Sequence, residues 1–350
     1  MNKKTYFLGC PTPDGFSTHL RDDINSGEFI TYIIKGGPGT GKSSMMKKIA
    51  EELSEIDEPE LYYCSSDPDS LDAVVFRKIK AIIVDGTSPH VFEPDYPGVR
   101  EVIVDLGTCW NVDSLKSDRE NIISASDRNK KYHALVKRYL RAIISLNDDI
   151  MSIGDANINK NKLDAYCTRL ASRLFPKKKN CTGKISFKQI TSITPKGVLT
   201  HTDLFEGMTV FKIEDENFAV TDRLLKRLAQ TAVSYGYDVT VSKNVFLSGS
   251  AYEHIIIPEL NTAFVSCDIE YTAKINAMRF YDRLAVREKR KRVAFNRGVA
   301  KDLTNEAVLA LQTAKDIHDE LESYYIKAMD FDAVDKMKDK LKSLILKISF

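Results

Sequence analysis

Residues 36–43 read Gly-Gly-Pro-Gly-Thr-Gly-Lys-Ser, which fits the pattern G-x-x-x-x-G-K-[ST] from Gly36 to Ser43. Few short patterns constrain a fold as tightly. Glycines allow backbone turns closed to other residues and let successive N–H groups converge on phosphate oxygens. A lysine at the seventh position brings positive charge to β- and γ-phosphates, and the hydroxyl after it suits Mg²⁺. The flanks agree. Phe-Ile-Thr-Tyr-Ile-Ile at 29–34 is apolar and β-branched and reads as a buried strand entering the loop. After it, Met45, Met46, Ile49, Leu53 and Ile56 recur at helical spacing. A strand, a glycine loop and a helix N-terminus together form an anion cradle. The expected phosphate contacts are Gly36, Gly37, Pro38, Gly39, Thr40, Gly41, Lys42, Ser43 and Ser44.

A second constraint is internal. Thr12-Pro-Asp-Gly-Phe-Ser-Thr-His19 returns 182 residues later as Thr194-Pro-Lys-Gly-Val-Leu-Thr-His201, with five of eight positions identical. Residues 45–50 resemble 224–229, and 81–84 resemble 262–265, in the same order and at nearly the same offset. Long-range self-similarity of this kind means a duplicated domain. The boundary is expected in the polar stretch 176–183, giving domains at 1–176 and 184–350. In the second copy Lys42 corresponds to Thr221 and Ser43 to Asp222, while the loop glycines become Asp215, Glu216, Phe218 and Val220. Acidic residues there would repel phosphate, so the second copy should keep the fold without the nucleotide site.

Apolar runs at 4–8, 29–34, 61–64, 81–84 and 101–106 read as strands alternating with helices, which implies a parallel sheet. Long helical stretches follow at about 113–175 and 270–348, broken near 154–161 and 330–332, and read as helical hairpins appended to each sheet. The fold class is therefore α/β, with two tandem domains of parallel sheet and flanking helices.

Ile-Ile-Val-Asp at 82–85 is an apolar strand ending in Asp85, a second expected Mg²⁺ ligand beside Ser43. Gly86 stands where many ATP hydrolases carry a water-activating Glu, which weakens a rapid hydrolysis reading and leaves room for phosphoryl transfer. Copy two has Ser266 in place of Asp85, with Asp268 displaced by two. His90, in a Pro- and Gly-rich loop after the strand, is a candidate base or γ-phosphate sensor, with a surface capping role as the plainer reading. The expected catalytic set is Lys42, Asp85 and His90. Asp67, Asp69 and Asp72 follow another strand end, and either order metal-bound waters or form a turn and cap a following helix. The repeated Thr-Pro-x-Gly with His19 and His201 most simply shapes a turn after the first strand.

Composition sets the outer bounds. The chain has 350 residues, 43% hydrophobic and 29% charged, enough for two cores. Net charge is +2, which gives no reason to expect nucleic acid. The basic run Arg287-Glu-Lys-Arg-Lys-Arg292 fits a solvated helix face, with binding to nucleic acid or an acidic partner as the alternative. Six cysteines without a C-x-x-C pair suggest reduced thiols in a cytoplasmic protein, neither a disulfide frame nor a zinc site. No apolar run reaches membrane-spanning length.

The Gly36–Ser43 motif places the chain with the P-loop NTPases by resemblance. More narrowly, it resembles an uncharacterised bacterial family of tandem P-loop ATPase-like proteins. That likeness rests on Gly36–Ser43, Asp85-Gly-Thr-Ser-Pro-His90, Ser66-Asp-Pro-Asp-Ser-Leu-Asp72 and the repeated Thr-Pro-x-Gly, and covers nearly the whole chain. It implies ATP binding, and the family often carries an ATPase or nucleotide-kinase-like label, with the substrate or protein partner unknown. The expectation is one active site in the first copy, regulated by a non-binding second copy.

Overall fold

The computed structural model describes residues 4–88, 90–178 and 181–348; residues 179 and 180 of the expected linker lie outside them. The first repeat contains β1 (Lys4–Phe7), β2 (Gly9–Thr12), β3 (Gly15–Thr18), α1 (Leu20–Asn25), β4 (Ile30–Lys35), α2 (Lys42–Leu53), β5 (Glu60–Tyr63), β6 (Leu71–Phe76), β7 (Ala81–Asp85) and β8 (Glu101–Asp105). Helices α3 (Val112–Ser117), α4 (Arg119–Ala156) and α5 (Lys160–Leu174) follow. The second repeat contains β9 (Ile185–Phe187), β10 (Thr191–Thr194), β11 (Gly197–Thr200), β12 (Thr209–Glu214), α6 (Ala219–Ser234), β13 (Val239–Lys243), β14 (Tyr252–Ile257), β15 (Thr262–Val265) and β16 (Ala273–Asn276). It ends with α7 (Arg283–Glu288), α8 (Arg290–Ala328) and α9 (Phe331–Ile348). Among the described residues no helix is long and apolar enough to cross a membrane.

The two large sheets have one topology. The first runs β1-β5-β6-β7-β4-β8, and the second, from its matching edge, β9-β13-β14-β15-β12-β16. Each sheet is mixed, which departs from the all-parallel expectation. β6 runs antiparallel to β5 and β7, and β14 to β13 and β15. The cause is connection length. Only residues 77–80 join β6 to β7, too few for a crossover, so the chain must turn back as a hairpin. Lys80 (φ 62°) and its counterpart Asn261 (φ 45°) both adopt the left-handed conformation just before the next strand.

The structure departs from three further expectations. Asp72 caps no helix; the fully buried run Leu71–Phe76 is a strand. The second helical region does not begin at 270, because Ala273–Asn276 pairs in parallel with β12 as its sixth strand. Ile56 lies beyond the end of α2 and is 53% exposed. The repeated Thr-Pro-x-Gly does form turns, in the hairpins β2-β3 and β10-β11. In each, the first Thr hydroxyl donates to the Gly carbonyl, at 3.0 Å for Thr12 and 2.8 Å for Thr194, and the glycine has positive φ.

The compact units do not follow the repeat boundary. One comprises residues 1–138, 192–199 and 307–350; the other comprises 139–191 and 200–306. The divisions fall inside α4, β10, β11 and α8, so the last helix of each repeat belongs to the other repeat's unit. In the first unit Val334, Leu341 and Ile345 of α9 share a core with Met45, Met46, Ile49 and Leu53 of α2 and with the strands. In the second, Leu163, Cys167 and Leu170 of α5 share a core with Leu224, Leu225 and Leu228 of α6. The exchange uses matching bonds. Asn111 N donates to Ala328 O and Asp330 N to Cys109 O, both at 2.8 Å. Asp282 N donates to Asn157 O at 2.9 Å and Asn159 N to Phe280 O at 2.8 Å. Burying a large aliphatic side chain stabilises by about 1.5–3 kcal/mol, so each exchanged helix is an integral part of its host core.

Candidate functional site

The glycine loop lies between β4 and α2, as its flanks require. Gly39 (φ 67°) and Gly41 (φ 87°) both need the left-handed region, and Gly41 is the N-cap of α2. Lys42 folds back over the loop, donating from Nζ to Gly37 O at 2.6 Å and Gly36 O at 3.1 Å. The Thr40 hydroxyl donates to Gly37 O at 2.8 Å. β7 is the direct neighbour of β4, with Ile34 opposite Asp85. That register sets Asp85 Oδ2 3.6 Å from Lys42 Nζ, while Oδ1 accepts from the Thr87 N–H at 2.8 Å and hydroxyl at 2.6 Å. Ser43 Oγ accepts from Leu71 N at 2.9 Å, which spends one of its two lone pairs and leaves the other for a cation. The structure thus brings Lys42, Ser43 and Asp85 together. A cavity of about 340 Å³ runs along Gly41, Ser44, Met45 and Lys48 against Phe331, Val334 and Asp335.

Gly86 has a packing reason. A Cβ there would lie 2.3 Å from Ile33 Cγ2, so no glutamate fits behind Asp85. The carbonyl of Gly86 is instead held by Lys35 Nζ at 2.9 Å, and the same ammonium also reaches Phe92 O at 2.8 Å and Glu93 at 2.6 Å.

The first unit also supplies groups that no local pattern disclosed. Glu322 of α8 accepts from Gly39 N–H at 3.2 Å and sits 3.4 Å from His318. His318, then Lys315 and the Gly39 N–H, hold its carboxyl below the usual range. Tyr325 packs so closely that a Cβ on Gly37 would be 2.5 Å from its ring. Lys315 lies 3.7 Å from Asp67, and Lys196, at the β10-β11 turn, pairs with Asp69 at 2.6 Å. Asp67 accepts from the Ser70 hydroxyl at 2.8 Å, so these two aspartates belong to a turn bracketed by lysines.

His90 is paired with a carboxylate. Its ring is buried edge-on to Phe16, with centroids 4.4 Å apart, and its Nε2 is 2.9 Å from Asp72. Burial disfavours its cation, but Asp72 and Asp85 outweigh that and raise its pKa.

The second repeat has replaced the cradle. α6 starts at Ala219, so its first turn takes the place of Thr40 and Gly41. The Asp215 carboxylate takes up the hydrogen bonds of this segment. It accepts from Thr221 N at 2.8 Å, Asn217 N at 3.0 Å and the Tyr281 hydroxyl at 2.9 Å. Burial raises its pKa against the pull of these bonds. Asp268 is 99% exposed and paired with Lys212 at 2.6 Å. Arg292, in the basic run, is bound at Nε to Asp149 at 2.8 Å. Arg297 pairs with Glu216 at 3.1 Å.

No family model, no curated protein and no solved structure matches this chain.

Proposed function

We propose that the chain binds a nucleoside triphosphate with Mg²⁺ at Gly36–Ser44 and acts as an ATPase or nucleotide-driven switch with one active site, in its first repeat. The observation that carries this reading is the Lys42 ammonium folded onto the Gly36 and Gly37 carbonyls beside Asp85. Loop amides and Lys42 would take the β- and γ-phosphates, and Ser43 and Asp85 would hold the metal. An incoming triphosphate competes with the Glu322 carboxylate for Gly39 N–H. Because Glu322 lies on a helix that starts in the second repeat, nucleotide occupancy is read directly by α8, which is what a switch requires. Asp215, satisfied by its own loop, makes the second repeat a non-binding regulatory copy. The test is phosphate release and nucleotide binding by wild type and Lys42→Ala; a wild type that does neither refutes the reading.

A second reading is phosphoryl transfer to a small molecule. It is favoured by the lack of room for a glutamate at Gly86 and by the lysine-bracketed Asp67–Asp69 turn. Incubation with labelled ATP and a metabolite extract would give a labelled product under this reading, and only ADP and phosphate under the first.

A further inference from the structure

Cys64, Asp72 and His90 come from three separate segments. Cys64 follows β5, Asp72 is the second residue of β6, and His90 lies beyond β7. The β5-β6 hairpin sets the first two together, closed by Cys64 N to Ser70 O at 2.9 Å. The loop after β7 brings the imidazole against them, with Phe16 fixing the ring edge-on. The thiol sulfur, a carboxylate oxygen and a ring nitrogen all lie within 4.8 Å of one another. Their residues are only 8%, 5% and 6% exposed. Asp72 Oδ2 pairs with His90 Nε2 at 2.9 Å, while His90 Nδ1 is left without a hydrogen-bond partner. Each buried polar atom left in that condition costs about 1–3 kcal/mol.

The geometry points to a transition-metal site of the Zn²⁺ type at Cys64, Asp72 and His90, with a fourth position open to water or another ligand. The donor set decides the metal. Thiolate, imidazole and carboxylate together suit Zn²⁺, whereas Mg²⁺ takes oxygen ligands almost exclusively. Around tetrahedral zinc, neighbouring ligand atoms stand about 3.3–3.6 Å apart, within the range these three already occupy. One thiolate and one carboxylate neutralise the dication, so the buried site carries no net charge. On binding, the thiol proton and any imidazolium proton pass to solvent. The site is distinct from the Mg²⁺ position at Ser43 and Asp85 and does not depend on nucleotide. The second repeat lacks it: its hairpin bond from Asn244 N to Ala251 O places Asn244 where the first repeat has Cys64, and Glu253 stands for Asp72. The spacing hid this site, since Cys64, Asp72 and His90 form no compact sequence motif.

The test uses the full chain, stripped with chelator and titrated with Co²⁺ as a spectroscopic stand-in. The expected result is a thiolate-to-cobalt charge-transfer band saturating at one equivalent, bleached by Zn²⁺ and untouched by excess Mg²⁺. Cys64→Ser should abolish the band, and Asp72→Asn and His90→Gln should each weaken Co²⁺ binding by at least about 100-fold, more than an outer-shell partner would. Cys167→Ser should leave the titration unchanged. Absence of the band in wild type, or its persistence in Cys64→Ser, overturns the site. Should a variant fail to fold, X-ray absorption on the zinc-loaded wild type decides: one sulfur with nitrogen and oxygen neighbours supports it, and any other sulfur count refutes it.

Discussion

Replacing Glu322 with Gln should tighten Mg-nucleotide binding at a loop more than 280 residues earlier in the chain. Glu322 accepts from Gly39 N–H at 3.2 Å, and its side chain is 32% exposed. A hydrogen bond to a charged group contributes about 1.5–3 kcal/mol when well buried. Solvent screening at this exposure reduces that to roughly 1–1.5 kcal/mol. Gln keeps the size of the side chain and removes the charge that a triphosphate must displace. At 1.4 kcal/mol per tenfold, affinity should rise roughly 5–12-fold. Calorimetric titration of wild type, Glu322→Gln and Glu322→Ala with Mg-nucleotide measures this. Unchanged affinity would show that Glu322 does not compete for the phosphate position. Weaker binding would show that it contacts the nucleotide or its metal instead. No binding by any variant, wild type included, would count against the nucleotide site itself and leave the role of Glu322 aside.

Leu341→Ala should destabilise the unit that holds the glycine loop by about 2–5 kcal/mol, since Leu341 is 2% exposed in that core; faster hydrogen exchange in β4 and α2 would report it. Gly86→Ala, with its Cβ 2.3 Å from Ile33, should cost about 1–3 kcal/mol by overpacking, read from urea unfolding. Glu253 is fully buried and burial lifts its carboxyl to about 7. The folded state therefore holds its proton longer than the unfolded state, and stability falls as pH rises from about 4.5 to about 7. Glu253→Gln should remove that loss, making the variant more stable by on the order of 3 kcal/mol above pH 7.5 and equal to wild type below about pH 4.5; urea titrations at both ends check it.

The glycine loop, its strand and its helix were legible because each is local: a motif, a β-branched run and a helical period, all within 30 residues. Asp85 was legible for the same reason, as the polar end of an apolar strand. The duplication was visible too, and the two sheets share one strand order. What sequence reasoning missed depends on distant segments. Leu71–Phe76 is buried on both faces, so it shows no alternation, and the Asp-rich turn before it resembles a helix cap. Glu322, Tyr325 and Lys315 look like ordinary positions on a long helix, and only because the end of α8 belongs to the first repeat's unit do they reach Gly37, Gly39 and Asp67. His90 stands out in the sequence for its place after Asp85, yet its neighbours Cys64 and Asp72 come from a hairpin that the expected parallel alternation excludes.

The proposed nucleotide site is single and is built on Lys42. Calorimetric titration of the full chain with Mg-nucleotide, beside Lys42→Ala, tests it most directly. The expected result is saturation at one nucleotide per chain in wild type and loss of binding in Lys42→Ala. Two nucleotides per chain, no binding in wild type, or undiminished binding in Lys42→Ala would contradict it.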